Sequence, residues 1–299
     1  MLKPIKKMLS EELKNELSKQ ELLLLPSSYQ KIGVIIILNL KKELWKYDKL
    51  IGNIVLEKIP STKSVFRKKG CIKTEFRIPQ IKFLSGVNST VTTHKEHGIS
   101  YKIDVNQIMF SKGNLSERKR IIKQVKKGEI IIDMFAGIGY FCLGIAKFSE
   151  AKKVYAIEIN PKSYGFLLEN IKLNKVRNKI VPILGDSAVE APKLGKIADR
   201  VIMGLLPNCK EYLPYAVKSV KPNGIIYYHG VAKEDECEKL FNDVKNIAEK
   251  EGYKVKLIKK TKVKSYAPKV YHFVLEALYV YFSQSVEIGR QARLRTVCL

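Results

Sequence analysis

Acidic residues stand where predicted strands end, and the first of them is followed by a pair of glycines. The apolar run 130–132 stops at Asp133, and Gly137 and Gly139 come soon after it. A short β-branched run that ends in an acid and glycines indicates a buried parallel strand entering a tight turn. The next segment, 141–148, has helical spacing. Strand, glycine turn and helix together predict the corner of a doubly wound sheet that binds a nucleoside or a phosphate.

The residues of this turn argue against a dinucleotide. A dinucleotide site requires G-x-G-x-x-G with a pyrophosphate at the helix N-terminus, but Tyr140, Phe141 and Cys142 follow the glycine pair. Asp133 would repel a pyrophosphate and suits a ligand with an amino group or hydroxyls. S-adenosylmethionine (AdoMet) is such a ligand, and we predict it as the co-substrate. The alternative is an incidental strand and turn with no ligand.

Two further strand ends favour AdoMet. The second predicted strand of this region ends at Glu158, where a carboxylate can accept hydrogen bonds from both ribose hydroxyls. The third is followed by Asp186, which is placed to accept from the adenine amino group. Phe135 and Ser187 lie in the same turns and are included among the predicted cofactor-binding residues. Each acid alone is a weak signal, but three successive strand ends with an acid are a specific one.

The charge of the chain predicts a polyanionic partner. The 299 residues contain 55 Lys and Arg against 29 Asp and Glu, a net charge of +26, which is far more than solubility requires. No apolar run approaches the roughly 20 residues that span a bilayer, so we expect no membrane span. The five cysteines form no C-x-x-C pair, which predicts free thiols in a reducing cytoplasm and no metal site.

The linker before the glycine turn contributes two more candidates. Ser111 lies in a turn-like stretch, and Arg118 lies in a predicted helix over 115–125. Both are expected above the carboxyl ends of the strands, where a guanidinium can hold the methionine carboxylate of AdoMet by a two-bond fork. The alternative for Arg118 is a solvated or nucleic-acid-facing side of the helix.

The fourth and fifth strands bear on the chemistry. Enzymes that methylate base amines often end the fourth strand with N/D-P-P-Y/F, but here Gly204 replaces the polar residue and no aromatic residue follows Pro207. A base-amine methyltransferase is therefore disfavoured. His229, on the predicted fifth strand, is a candidate proton acceptor; the alternative is a buried histidine with its hydrogen bonds satisfied.

The chain divides into three predicted parts. Residues 1–105 alternate short strands with one or two helices, which predicts a small N-terminal α+β domain that contacts nucleic acid; it includes helices over 1–20 and 40–50 and a short strand at 55–56. Residues 106–282 predict an α/β catalytic domain with a doubly wound, mainly parallel sheet of the AdoMet-dependent, Rossmann-like methyltransferase fold. Residues 283–299 have no apolar periodicity, and disorder or a reading-frame artefact explains them.

From residue 24 to about residue 281 the sequence resembles archaeal and eukaryotic enzymes that modify the purine 3′ of the tRNA anticodon. Two sister families share this scaffold, the tRNA guanine-N1 methyltransferase and the wybutosine-pathway aminocarboxypropyltransferase. The shared motifs are Phe110-Ser111, DMFAGIG at 133–139, Asn160-Pro161, ENIKLN at 169–174, DRVIM at 199–203 and YAP at 266–268.

Several positions favour the aminocarboxypropyltransferase. Tyr140 stands where the methyltransferase usually has proline, Glu158 where it has aspartate, and Gly113 where it has an arginine thought to serve catalysis. The stretch 203–208, MGLLPN, resembles the transferase and lacks the N-L-P of the methyltransferase. An extra N-terminal domain of the methyltransferase also has no counterpart here.

The resemblance implies transfer of the 3-amino-3-carboxypropyl group of AdoMet to C7 of 4-demethylwyosine in phenylalanine tRNA, with Ser111 and Arg118 holding the amino-acid arm. No metal and no covalent enzyme intermediate is implied. The alternatives are tRNA guanine-N1 methyl transfer at the same purine, a bifunctional enzyme, and a non-catalytic RNA-binding relative. The last is weakened because all three strand-end acids are present.

Overall fold

The computed structural model describes residues 4–70, 78–110 and 114–281. They fall into two compact units that interleave along the chain. The first unit takes in residues 1–115, 137–147 and 160–178, and the second takes in 116–136, 148–159 and 179–299. The predicted boundary at residue 105 stays a prediction, and the tail 283–299, Ser111 and Gly113 lie outside the described residues.

Where it is described, the first unit contains a four-stranded sheet and a separate hairpin. Its sheet has the order β1-β2-β3-β4, in which β2 and β3 are parallel and the other pairs antiparallel. The strands are β1 (Tyr29–Ile32), β2 (Ile35–Leu38), β3 (Ser64–Lys68) and β4 (Ile81–Gly86), with the hairpin β5 (Val91–Glu96) and β6 (Ile99–Asp104). The helices that begin in it are α1 (Ile5–Glu12), α2 (Lys19–Leu23), α3 (Asp48–Lys58), α4 (Leu115–Gln124), α5 (Cys142–Phe148) and α6 (Pro161–Leu173).

Two expectations for this unit are corrected. The predicted helix over 1–20 is two helices, because Ser18 forms a capping box with Glu21 and starts α2 afresh. The predicted strand at 55–56 is wrong, since both residues lie within α3. Two β-branched or apolar neighbours are too short a run to distinguish a period of 2 from one of 3.6. Tertiary packing decides: a Cβ on Gly52 would lie 2.8 Å from the Leu84 side chain, so α3 packs directly on β4.

The second unit is built on a mainly parallel sheet, as predicted. Within the described residues the sheet has seven strands in the order β12-β13-β11-β10-β7-β8-β9. The strands are β7 (Ile130–Asp133), β8 (Lys153–Glu158), β9 (Ile180–Leu184), β10 (Ala198–Met203), β11 (Val220–Lys233), β12 (Tyr253–Ala267) and β13 (Val270–Tyr281). Strands β7 to β11 are parallel, and β13 and β12 close the sheet antiparallel. Its helices are most of α4, with α7 (Ser187–Lys193), α8 (Leu213–Val217) and α9 (Cys237–Lys250).

The two faces of this sheet differ in chemistry. On the face that packs on α8 and α9, here called the α9 face, the strands present apolar side chains such as Met203, Ile226 and Phe273. On the opposite face, called the α4 face, they present Arg200, Tyr227, His229, His272 and Glu276. The helix α4 is held on that face because Arg120 and Gln124 hydrogen-bond to Glu276, and Gln124 also accepts from the Tyr227 hydroxyl at 3.0 Å.

Candidate cofactor site

The structure brings the three strand-end acids to one edge of the second unit's sheet. Asp133 closes β7 and is completely buried, and Glu158 closes β8 and is half-buried. Asp186 follows β9 and is also half-buried. Strands β7, β8 and β9 are parallel neighbours, so their carboxyl ends lie side by side. This is the edge at which open α/β sheets bind their ligands.

The turns that carry these acids are joined to one another by hydrogen bonds. The Gly185 N–H donates to the Glu158 carbonyl at 3.0 Å, and the Ser187 hydroxyl donates to the Met134 carbonyl. The Asp186 carboxylate accepts from the Ala188 N–H at 2.9 Å and caps α7. Ser187 therefore fixes the end of β7 through its bond to the Met134 carbonyl. Asp186, at the carboxyl edge of the sheet, also stabilises its own turn.

Phe135 and Arg118 are both placed by packing. The Phe135 ring meets the Tyr212 ring edge to face, with the centroids 4.9 Å apart. Arg118 lies on α4 with only 6% of its surface exposed. That burial argues against the solvated-helix alternative for Arg118.

The glycine turn belongs to the first unit and needs its glycines. Gly137 has φ +58° and Gly139 has φ +103°, both in the left-handed region that other residues rarely adopt. A Cβ on Gly139 would lie 2.5 Å from the Leu143 side chain. A side chain at this position is therefore excluded by conformation and by space.

Two residues hold this turn through contacts that the sequence did not predict. Asn170 on α6 donates from Nδ2 to the Ile138 carbonyl at 3.0 Å and to the Lys102 carbonyl at 3.1 Å. The Tyr140 hydroxyl donates to the Met109 carbonyl at 2.8 Å. Asn170 lies in the shared motif at 169–174, and Tyr140 is one of the positions that distinguish the two sister families. Their partners are distant in sequence, so no local pattern indicated these contacts.

His229 lies inside the α4 face. Its Nδ1 is 3.1 Å from Nε2 of His272, and neither side chain is exposed. Burial lowers the pKa of His229 well below its usual value, helped by the nearby His272 and Arg120. Burial also lowers the pKa of His272 to about 4, with Lys264 contributing. Both imidazoles are therefore neutral at pH 7. The complete burial of His229 favours the buried-histidine alternative over a proton acceptor.

The loop after β10 turns its polar residue towards the protein. Asn208 Oδ1 accepts from the Tyr228 hydroxyl at 3.0 Å and from the Lys210 N–H at 2.8 Å. The Cys209 thiol donates to the His229 carbonyl at 3.2 Å, and burial raises its pKa to about 12. The Leu206–Pro207 peptide bond is cis. These bonds hold the loop against β11.

The mainly parallel sheet and its strand order are those of the Rossmann-like, AdoMet-dependent methyltransferase fold. Two family models match the sequence, the TRM5/TYW2 methyltransferase domain over residues 92–256 and the TYW2 N-terminal domain over residues 9–90. The chain belongs to the TRM5/TYW2 family.

Similar proteins come from both branches of the family. A tRNA(Phe) (4-demethylwyosine(37)-C(7)) aminocarboxypropyltransferase of Methanocaldococcus jannaschii is 43% identical over 252 residues, which is 84% of this chain and 97% of that protein. The Pyrococcus horikoshii protein of the same name is 40% identical over 92% of this chain and 96% of its own length. A tRNA (guanine(37)-N(1))-methyltransferase Trm5b of Pyrococcus abyssi is 38% identical over 84% of this chain and 74% of its own.

Solved structures of both branches share the fold. TYW2 of P. horikoshii in complex with MeSAdo gives a TM-score of 0.80 at 37% identity, over 92% of this chain and 99% of that one. A complex of aTrm5 with tRNALeu gives 0.77 at 35% identity, over 92% of this chain and 78% of that one. Among the described residues, no helix is both long and apolar enough to cross a membrane.

Proposed function

We propose that this protein transfers the 3-amino-3-carboxypropyl group of AdoMet to C7 of 4-demethylwyosine, at the purine 3′ of the anticodon in phenylalanine tRNA. The match to the two aminocarboxypropyltransferases over nearly their whole length carries the proposal. The Trm5b relative is 38% identical over 74% of its own length. The TYW2 N-terminal model over 9–90 points to the same branch.

The residues of the chain fit AdoMet. Glu158 and Asp186 present carboxylates at the carboxyl edge of the sheet, as a ribose and an adenine amino group require. Gly137 and Gly139 hold the glycine turn in its left-handed conformation, and we assign them to the close approach of the ligand. We assign Asp133 to the amino group of the methionine arm. Phe135 and Ser187 shape the turns after β7 and β9.

Orientation is the main task of these residues. Bound AdoMet supplies an electrophilic sulfonium: the carbon of its amino-acid arm bonds to C7, the C–S electron pair stays on methylthioadenosine, and C7 loses a proton. The protein must decide which of three carbons on sulfur faces the base. We assign the anchoring of the carboxylate to Ser111 and Arg118, since the buried guanidinium of Arg118 can form a two-bond fork.

The partner and the compartment follow from the same proposal. The substrate is a tRNA, and the net charge of +26 suits a polyanion. We assign residues 1–105 to tRNA contact alongside the catalytic domain. We place the reaction in the cytoplasm, where thiols such as the buried, unbridged Cys142, Cys209 and Cys237 stay reduced.

Separate labels on AdoMet test the reaction. With AdoMet labelled either in the methyl group or in the aminocarboxypropyl carbons, and tRNA carrying 4-demethylwyosine, only the second label should reach the tRNA. Methylthioadenosine should accumulate as the by-product. Methyl label on the tRNA with S-adenosylhomocysteine would assign the chain to methyl transfer. Transfer of both labels would indicate a bifunctional enzyme, and transfer of neither a non-catalytic relative.

The cofactor assignment has its own test. Glu158→Ala should weaken AdoMet binding by about 1.5–3 kcal/mol, which is typical of hydrogen bonds to a charged group. Isothermal titration calorimetry measures the change directly. Glu238→Ala, which removes the same charge from the exposed side of α9, should leave the affinity unchanged. An unchanged affinity in Glu158→Ala would refute the ribose assignment.

A further inference from the structure

The edge strand β12 contains an unusual number of lysines. It ends the sheet order, and its lysines are Lys254, Lys256, Lys259, Lys260, Lys262 and Lys264. Three irregularities in its pairing with β13, at residues 258, 263 and 266, reset which side chains share a face. The positions of the individual lysines therefore follow from the register and not from simple alternation along the sequence.

The register divides these lysines between the two faces of the sheet. Lys259 pairs with Glu276, and Lys256 pairs with Leu278, which lies two residues further along β13. Directly opposed residues of antiparallel strands share a face, so both lysines lie on the α4 face, as do Lys254 and Lys264. Lys260 and Lys262 pair with Leu275 and Phe273 and lie on the α9 face. The sequence alone does not show this division.

The helix α4 adds exposed lysines on the same face. Lys119 and Lys123 are exposed and one helical turn apart. The helix is held there by bonds from Arg120 and Gln124 to Glu276, whose register partner is Lys259. Arg120 of α4 and Lys259 of β12 therefore meet the same residue of β13.

The acids of this face are buried and already paired. Glu117 and Glu276 both bond to Arg120, and neither side chain is more than 2% exposed. Among the described residues, Lys256 and Lys259 form no salt bridge. The α9 face differs: Lys262 bonds to Glu234 at 2.9 Å and lies 3.6 Å from the centre of the Tyr271 ring. Positive charge thus remains uncompensated at the surface of the α4 face.

We propose that Lys119, Lys123, Lys256 and Lys259, here called the α4–β12 surface, bind the phosphate backbone of the substrate tRNA. The register of β12 gives the location of this surface, whereas the identity of its ligand as tRNA depends on the proposed function. Lys256 and Lys259 lie opposite Leu278 and Glu276, which are two residues and about 7 Å apart along β13. That spacing is comparable to that of successive phosphates on an RNA strand. As compact point charges they position the backbone without reading the bases.

The competing explanation is protection of the sheet edge. Lysines on an edge strand prevent pairing with another chain. That role requires no preference between the faces. RNA binding requires one, because only the lysines of the α4 face continue onto α4.

Two double variants of β12 separate these explanations. Lys256→Gln/Lys259→Gln removes two charges from the α4 face, and Lys260→Gln/Lys262→Gln removes two from the α9 face. Binding of a tRNA(Phe) transcript is measured by filter binding between 0.05 and 0.3 M salt, with thermal unfolding as a check on folding. We expect the first variant to lose about tenfold in affinity at moderate salt, and its salt slope to fall by about 2, one for each phosphate contact. The second should bind like the unsubstituted protein.

Charge retention provides a second comparison. Lys256→Arg/Lys259→Arg should bind tRNA like the unsubstituted protein, because it keeps both charges. Equal affinity in the two glutamine variants would overturn the proposal, and self-association of both in size-exclusion chromatography would then establish edge protection. The labelled AdoMet assay is read separately. If the unsubstituted protein transfers no label while only the α4-face variant loses affinity, the surface stands and the proposed reaction fails.

Discussion

The α9 face and the α4 face of the second unit are made from alternating residues of the same strands, and they are stabilised in different ways. Phe273 and Leu275 point into an apolar core with α8 and α9. His272, just before Phe273, and Glu276, just after Leu275, point to the opposite face into a buried polar network. The network continues through Arg200, which bonds to the Glu129 carboxylate and the Tyr227 hydroxyl.

The difference in chemistry between the two faces indicates a different role for each of them. Apolar packing is non-directional and tolerates small shifts of a helix, so the α9 face mainly stabilises the fold. Buried charges require specific partners and penalise the wrong ones. We infer that the polar network fixes the position of α4, and with it Arg118 on the same helix. Four predictions follow for the two faces.

The largest effect is expected on the α9 face. Phe273→Ala should lower the free energy of unfolding by about 3–5 kcal/mol, because the 2%-exposed ring leaves a cavity. Urea denaturation measures the loss. Ile258→Ala, at an exposed position on neighbouring β12, should cost less than about 1 kcal/mol. A Phe273→Ala variant as stable as Ile258→Ala would show that this face is not the main source of stability.

Sequence patterns could predict much of the sheet and the acids at its edge. Strands β7, β8 and β9 are short apolar runs closed by Asp133, Glu158 and Gly185-Asp186, and such signals are local. The seven-stranded, mainly parallel sheet is confirmed. The acids lie where the sheet topology requires, and their roles towards AdoMet stay predictions.

The polar network could not be predicted, because its partners are far apart in sequence. Arg120 and Glu276 are 156 positions apart, and Arg200 and Glu129 are 71 apart. No helical or strand period relates such residues. His229 was recognisable as a histidine on a strand, but its partner His272 becomes apparent only once β11 and β13 are paired. The same holds for the face of each β12 lysine, which depends on pairing irregularities.

The second prediction concerns acid. The folded-state pKa of His272, about 4, lies below its unfolded value of 6.5, because burial disfavours the charged ring. The unfolded chain therefore binds the proton first, and stability that is complete above pH 6.5 is lost as the pH falls towards 4. For His272 alone this corresponds to about 3 kcal/mol. Urea denaturation from pH 7.5 to 4.5 should show a shallower loss in His272→Asn than in the unsubstituted protein.

A neighbour on the same strand serves as the control for acid. Val274→Ile alters the same face without removing a titrating group, so its pH dependence should follow that of the unsubstituted protein. Parallel curves for His272→Asn and the unsubstituted protein would mean that the imidazole pair does not contribute to acid sensitivity.

The third prediction tests whether the α4 face positions its helix. Glu276→Gln keeps the shape of the side chain but removes the charge that Arg120 contacts, which should cost about 2 kcal/mol of unfolding free energy. AdoMet affinity should also fall, because α4 carries Arg118. Leu275→Met, at the adjacent α9-face position, should cost less than about 1.5 kcal/mol and leave the affinity unchanged. Loss of stability in Glu276→Gln without loss of affinity would separate the network from the cofactor site.

The smallest effect compares adjacent tyrosines that face opposite ways. The Tyr227 hydroxyl donates to Gln124 at 3.0 Å and accepts from Arg200 on the α4 face, and burial raises its pKa to about 12. The Tyr228 hydroxyl donates to Asn208 Oδ1 at 3.0 Å, and that oxygen keeps a second donor in the Lys210 N–H.

Tyr227→Phe leaves the buried Arg200 with one partner fewer and should lower the free energy of unfolding by about 1.5 kcal/mol or more. Tyr228→Phe should cost about 0.5–1 kcal/mol, since its acceptor stays satisfied. Urea denaturation of the two variants side by side measures the difference, and equal losses would mean that the charged network gains nothing over an ordinary buried hydrogen bond.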